Sequence, residues 1–175
     1  MELCQHIEEG KSFDHILNLW VKKPSGEIVK NKIRGAEDVN AVPIQDFSLM
    51  SKAYFYRPMN GKMYKMFPIE THRGCPYRCS FCNSPVQMDF YKEETNTKFF
   101  RKKNFDLLFA EINFFIKEYQ AEAFYFWADT FLAWTNPEFE EFCDMYSEIK
   151  VPFWMQTRPE TLTDYKIKRL SEVGL

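Results

Sequence analysis

Three cysteines, Cys75, Cys79 and Cys82, stand in one short run with the spacing C-x3-C-x2-C. The run reads Arg73-Gly74-Cys75-Pro76-Tyr77-Arg78-Cys79-Ser80-Phe81-Cys82-Asn83. Thiolates so close in sequence can wrap one face of a cubic iron–sulfur cluster, whose irons are held by cysteine sulfur. A closed site would use a fourth ligand, so one iron stays open. An open metal position marks a reactive centre, by the logic that separates catalytic from structural zinc. A second ligand set shares the same residues. His72 lies just before Cys75 and would complete a Cys3His zinc site, although zinc motifs usually come as two separated ligand pairs. A disulfide framework suits neither the odd total of five cysteines nor an N-terminus, Met1-Glu2-Leu3-Cys4-Gln5, without basic or apolar character.

The cysteine run resembles the signature of the radical S-adenosylmethionine (SAM) superfamily, in which an aromatic residue precedes the third cysteine as Phe81 does here. The wider segment, Phe67 to Pro85, is similar to the subgroup that carries a cobalamin-binding domain ahead of the catalytic core. This resemblance implies a 4Fe-4S cluster on Cys75, Cys79 and Cys82, with SAM chelated at the open iron. Reductive cleavage of SAM would then yield methionine and a 5′-deoxyadenosyl radical that attacks a substrate, with electrons from an external donor of the flavodoxin or ferredoxin type. It also implies cofactor-binding roles for three further residues. Phe81 would lie beside the adenine of SAM. Asp129 would hold the methionine end, although the subgroup often has two consecutive aspartates where this chain has Ala128-Asp129. Arg158 would meet a carboxylate of SAM or substrate, with an ion pair to Glu160 as the alternative. Cobalamin is a possible cofactor by the same resemblance, but no Asp-x-His-x-x-Gly segment is present to offer a histidine to cobalt. The competing readings are a metal-binding module, zinc or electron-transfer cluster, without SAM chemistry, and an inactive truncation.

The elements that must position these residues follow from periodicity. Met66–Thr71 predicts a short apolar strand leading into the cysteine loop. Ligand sites of parallel sheets lie beyond the carboxyl ends of their strands, so this is a sensible placement. Residues 84–103 are polar and read as an irregular excursion. Asn104 can cap a helix whose apolar residues, Phe105 through Tyr119, share one face. Ala123–Ala128 reads as a buried strand. Asn136-Pro137-Glu138 opens a second helix, on whose face Cys143 reads as a core residue. Val151–Thr157 is a third strand. Thr163-Asp164 begins a last helix, with Ile167, Leu170 and Val173 inward and Gly174 as its stop.

Strands alternating with helices imply parallel βα units. The fold class is therefore α/β. The radical SAM core resembles a partial barrel of about six such units, so the resemblance makes this chain half a barrel. Residues 61–175 would be the N-terminal half of the core. Residues 1–60 form a linker segment, similar to the tail of a cobalamin-binding domain absent from the chain. Within it, Ile16–Val21 and Glu27–Lys30 flank a turn at Pro24-Ser25-Gly26, and residues 31–60 read as a connector.

With 175 residues, 45% hydrophobic and 18% aromatic, the composition is that of a folded domain. The formal net charge of −2 gives no general attraction to nucleic acid or an anionic membrane, and Arg101-Lys102-Lys103 reads as a solvated face. The longest apolar run, Ala123–Ala128, is too short to span a bilayer. The chain reads as cytoplasmic and reduced. Half a parallel barrel leaves sheet edges beside its first and third strands, which invites self-association or a partner chain that completes the barrel.

Overall fold

The computed structural model describes residues 2–175, which divide into two compact units. One comprises the chain up to Glu37 together with Cys79–Phe99, and the other Asp38–Arg78 with Phe100–Leu175. The division runs through the cysteine loop.

The larger unit is built on a four-stranded sheet in the order β3-β4-β7-β8. Strands β3 (Tyr56–Met59) and β4 (Lys62–Glu70) form an antiparallel hairpin. Its turn residues, Asn60 and Gly61, both have positive φ, 49° and 75°, as a two-residue hairpin loop of matching twist requires. Strand β7 (Ala123–Trp127) lies parallel to β4, with Phe67 opposite Phe124 and Ile69 opposite Phe126. Strand β8 (Phe153–Met155) lies parallel to β7. Helices α3 (Phe105–Tyr119), α4 (Asn136–Ser147) and α5 (Asp164–Val173) connect or follow these strands.

Because side chains alternate across a strand, the sheet sorts its residues between two faces. Phe67, Ile69, Phe124, Phe126 and Phe153 turn toward the helices and join Leu108, Ile112, Phe115, Phe139, Phe142, Tyr146 and Leu170 in one core. Aromatic rings dominate it. Phe142 stacks on Tyr146 at 5.3 Å, and Phe126 meets Phe142 edge to face at 5.4 Å. Met66, Ala123 and Tyr125 face the other way. There Trp154 stacks on Tyr125 at 3.8 Å, and Trp127 stays 59% exposed.

Helix ends are set locally. Asn104 caps α3 by accepting from Leu107 N, and Thr163 caps α5 by accepting from Lys166 N. The start of α4 lies one residue away from its expected cap: Thr135, not Asn136, closes a reciprocal box with Glu138. After α5, Gly174 takes φ 134°, where a Cβ would meet the Val151 carbonyl oxygen at 2.9 Å. Its own carbonyl accepts from Phe153 N at 3.0 Å. Since Phe124 N donates to Pro152 O on the β7 side, Phe153 N is turned to the outer edge of β8.

Several expectations are corrected. Residues 84–103 are not irregular: α2 spans Ser84–Thr95, and Arg101–Lys102 (β6) pairs antiparallel with His72–Arg73 (β5). The helix escapes periodicity because Ser84 is its only buried residue. Strand β3 was expected as connector, and it covers the Lys62–Lys65 stretch of one sheet margin, which leaves less open edge than a bare half barrel. The third strand is shorter than 151–157, and Ile167 is 46% exposed, while Leu170 and Val173 are buried as expected. Cys143 is fully buried in the core.

The smaller unit holds α1 (Glu2–Glu8), an antiparallel hairpin of β1 (Trp20–Lys22) and β2 (Ile28–Lys30), and α2. The hairpin bends at Pro24-Ser25-Gly26, where Gly26 has φ 88°. Both of its strands are shorter than the sequence suggests, because Asn31 draws the chain around residues 14–19 by donating to Asp14 O and Leu19 O. Behind α2, Thr97 Oγ1 accepts from Ala36 N at 3.0 Å.

Candidate functional site

The cysteine loop leaves the carboxyl end of β4. At that end Arg73 donates to both oxygens of Glu70, at 2.9 and 2.7 Å, a bidentate geometry that fixes the chain as it turns. Thr71 and His72 are buried, and Lys103 N donates to Thr71 O at 2.9 Å. Gly74 then adopts φ 80°, a left-handed conformation that glycine enters without a Cβ clash.

Cys75 follows, 8% exposed, with Sγ 3.8 Å from Thr130 Oγ1. Thr130 belongs to the turn after β7, beside the exposed Asp129. That turn is tied to the end of β8: Phe131 N donates to Gln156 O at 2.8 Å, and Leu132 N to Thr157 Oγ1 at 3.2 Å. Arg158, next in line, donates to Glu160 at 3.0 Å and holds its guanidinium 4.5 Å above the Tyr77 ring. The carboxyl ends of β4, β7 and β8 therefore converge on Cys75 and Tyr77. Of the residues singled out in the sequence, Cys75, Asp129 and Arg158 stand on this one rim.

The other residues belong to the smaller unit. Cys82 N donates to Cys79 O at 3.2 Å, closing a tight turn. Cys82 Sγ accepts from Ser84 N and donates to Ser84 Oγ, both at 3.4 Å. Both cysteines are half-buried. The Phe81 ring between them is 92% exposed, so it does not pack beneath the loop.

The donor chemistry fits an iron–sulfur cluster. Hydrogen bonds to cluster-ligating sulfur tune the potential of such clusters, and the Ser84 N–H already reaches the Cys82 sulfur. Among the described residues no three His, Cys, Asp or Glu side chains are already gathered as a ligand group. His72, the fourth member of the zinc alternative, rests against Thr71 Oγ1 through Nδ1 at 3.1 Å and packs edge-on to Phe100 and Trp134. Burial pushes its pKa down to about 4, against a smaller opposing pull from the Thr130 backbone, so the imidazole is neutral.

Thr130 and Tyr77 were not singled out in the sequence. Each acquires its contact from a residue on another strand end, 55 positions away for Cys75 and Thr130, and nothing local announces such a pairing.

No protein-family model matches the chain, and no curated protein matches it. Two solved structures resemble it in fold over 99% of its length. One is the radical S-adenosylmethionine methyltransferase TsrM from Kitasatospora setae with cobalamin and a 4Fe-4S cluster bound, at 16% identity and a TM-score of 0.55. The other is the apo form of the cobalamin-dependent S-adenosylmethionine radical enzyme OxsB, at 18% identity and a TM-score of 0.60. The chain spans 34% of the first and 25% of the second. Likeness at these identities is one of fold: mixed α/β, with parallel strands in the central sheet.

Proposed function

We propose that this chain contributes the cluster-bearing part of a radical SAM enzyme, with residues 61–175 as half of a β/α barrel. One observation carries the reading: the C-x3-C-x2-C loop departs from the first parallel strand of a sheet that resembles radical SAM enzymes in fold, and its first cysteine meets the end of the second. Cys75, Cys79 and Cys82 would hold a 4Fe-4S cluster. When bound, the cluster supplies the electron for cleaving SAM to methionine and a 5′-deoxyadenosyl radical.

The chain's own residues have separable tasks. Cys75 is shielded from solvent and Thr130 presents a hydroxyl to its sulfur. The Ser84 N–H donates to the Cys82 sulfur at 3.4 Å. Asp129, on the rim and exposed, can accept from an ammonium group, a charge-assisted hydrogen bond of the stronger kind. Arg158, stacked on Tyr77 and paired with Glu160, is oriented at the same rim and can exchange that partner for a ligand carboxylate. Phe81 offers an uncovered ring for the adenine. An external electron donor and a chain completing the barrel are the partners this reading calls for.

The test is anaerobic reconstitution of the chain with iron and sulfide, followed by EPR of the reduced protein with and without SAM. A 4Fe-4S signal that changes on adding SAM supports the proposal, and it should vanish in Cys75→Ala. A cluster indifferent to SAM favours the electron carrier, and zinc without a cluster refutes the radical reading.

A further inference from the structure

The loops that follow β7 and β8 enclose a second feature, a cavity of about 390 Å³ with no cysteine in its wall. Its volume lies within the range of small-molecule sites, which combine apolar walls with a few placed polar groups. It opens at the carboxyl ends of parallel strands, where ligands of such sheets bind. The indole of Trp134 and the ring of Tyr165 contribute flat apolar walls, and Tyr77 contributes its edge to the cysteine loop.

Charge decides what the cavity can take. Its carboxylates are already engaged: Glu140 accepts from Tyr165 Oη at 2.7 Å and lies 3.6 Å from Arg169 Nε, while Glu160 is paired with Arg158. Lys166 differs. It is half-buried, its ammonium stands 5.3 Å above the Phe139 ring, and among the described residues no carboxylate lies within ion-pairing distance of it. The Asn136 side chain at the same wall likewise makes no hydrogen bond among the described residues. Glu160 pairs with Arg158, whereas Glu140 shares Arg169 with Asp144 and Glu172, so the positive charge available to an anion at this wall is that of Lys166, beside an unused amide. An incoming cation would find the Phe139 and Tyr77 faces taken by Lys166 and Arg158.

We propose that this cavity is a binding site for a small aromatic carboxylate, its carboxylate held by Lys166 and Asn136 and its ring lodged between Trp134 and Tyr165. The site goes beyond the cluster reading and does not depend on it, because none of the three cysteines lines it.

The test titrates the isotopically labelled chain, without iron, with phenylacetate, benzyl alcohol, benzylammonium and phenyl phosphate while amide resonances are followed by NMR. Phenylacetate should produce saturable shifts at Asn136, Tyr165 and Lys166, and benzyl alcohol and benzylammonium should produce none. Lys166→Met keeps most of the aliphatic stem and should weaken phenylacetate binding about tenfold, the scale of one charge-assisted hydrogen bond. Asn136→Ala provides a second, independent loss on the exposed helix start. Equal binding of benzylammonium, unchanged affinity in Lys166→Met with its spectrum otherwise intact, or absence of saturation would overturn the proposal. Tighter binding of phenyl phosphate would overturn the assignment to carboxylates. Failure here leaves the EPR experiment untouched, and the reverse also holds.

Discussion

His72 shows how one side chain makes stability depend on pH. Its folded-state pKa of about 4 lies below the 6.5 of an unperturbed histidine, so between those values the unfolded chain binds the extra proton. Stability is therefore fully present above pH 6.5 and falls as pH drops toward 4, by on the order of 3 kcal/mol in total. Urea unfolding at pH 6.5 and 5.0, above the range where most carboxylates titrate, should show this slope, and His72→Phe should flatten it while keeping the ring against Phe100 and Trp134. An unchanged slope in that variant would place the proton elsewhere. Cys143 makes the complementary case. Burial pushes its thiol up to about 12, and a buried thiol without thiolate character is inert. Alkylation of the native chain should spare Cys143 and label the exposed Cys4 first; peptide mapping after a short pulse checks the order.

At the scale of elements, capping and core packing separate in magnitude. Thr135→Ala removes the hydroxyl half of the α4 capping box, keeps the backbone N–H to Glu138, and should cost about 1 kcal/mol. Phe142→Ala empties the place where α4 meets Phe126 and Phe131, beside Tyr146 of the same helix, and should cost about 3–5 kcal/mol. Denaturant midpoints for the pair test the ratio. The same contrast explains what could be read from the chain. Helix α3 and strand β7 were legible because burial of a whole face imprints itself on residue spacing. Strand β3 was not: Tyr56, Arg57 and Pro58 are exposed, so no alternation marks them, and only Asn60-Gly61 hinted at a hairpin. Helix α2 buries too little to show a face. At the site, the cysteines announced themselves by spacing alone. Thr130 and Tyr77 became visible only once strand ends far apart in sequence were brought to one rim.

For the molecule as a whole, the β8 margin is the open question of assembly. Beyond Phe153, the Met155 N–H on the same side of the strand has no partner strand in the sheet, and such edges invite pairing. The chain should self-associate through this margin. Met155→Pro, which removes an outward-facing donor and is tolerated at an edge, should shift size-exclusion elution toward monomer without altering the circular dichroism. A wild-type chain that elutes as a monomer would refute the expectation. Among the described residues no helix is long and apolar enough to cross a membrane.

The hydrogen bond from Phe153 to the Gly174 carbonyl bears on the timing of assembly. Bringing a new strand to a parallel edge ordinarily begins with an unfavourable search, because the loop must close before any contact rewards it. Here helix α5 has already delivered Gly174 to the edge, where its carbonyl accepts from one of the outward N–H groups of β8. Any strand that pairs with this edge must displace the Gly174 carbonyl from Phe153 N or align around it, so the register of pairing is restricted before contact is made.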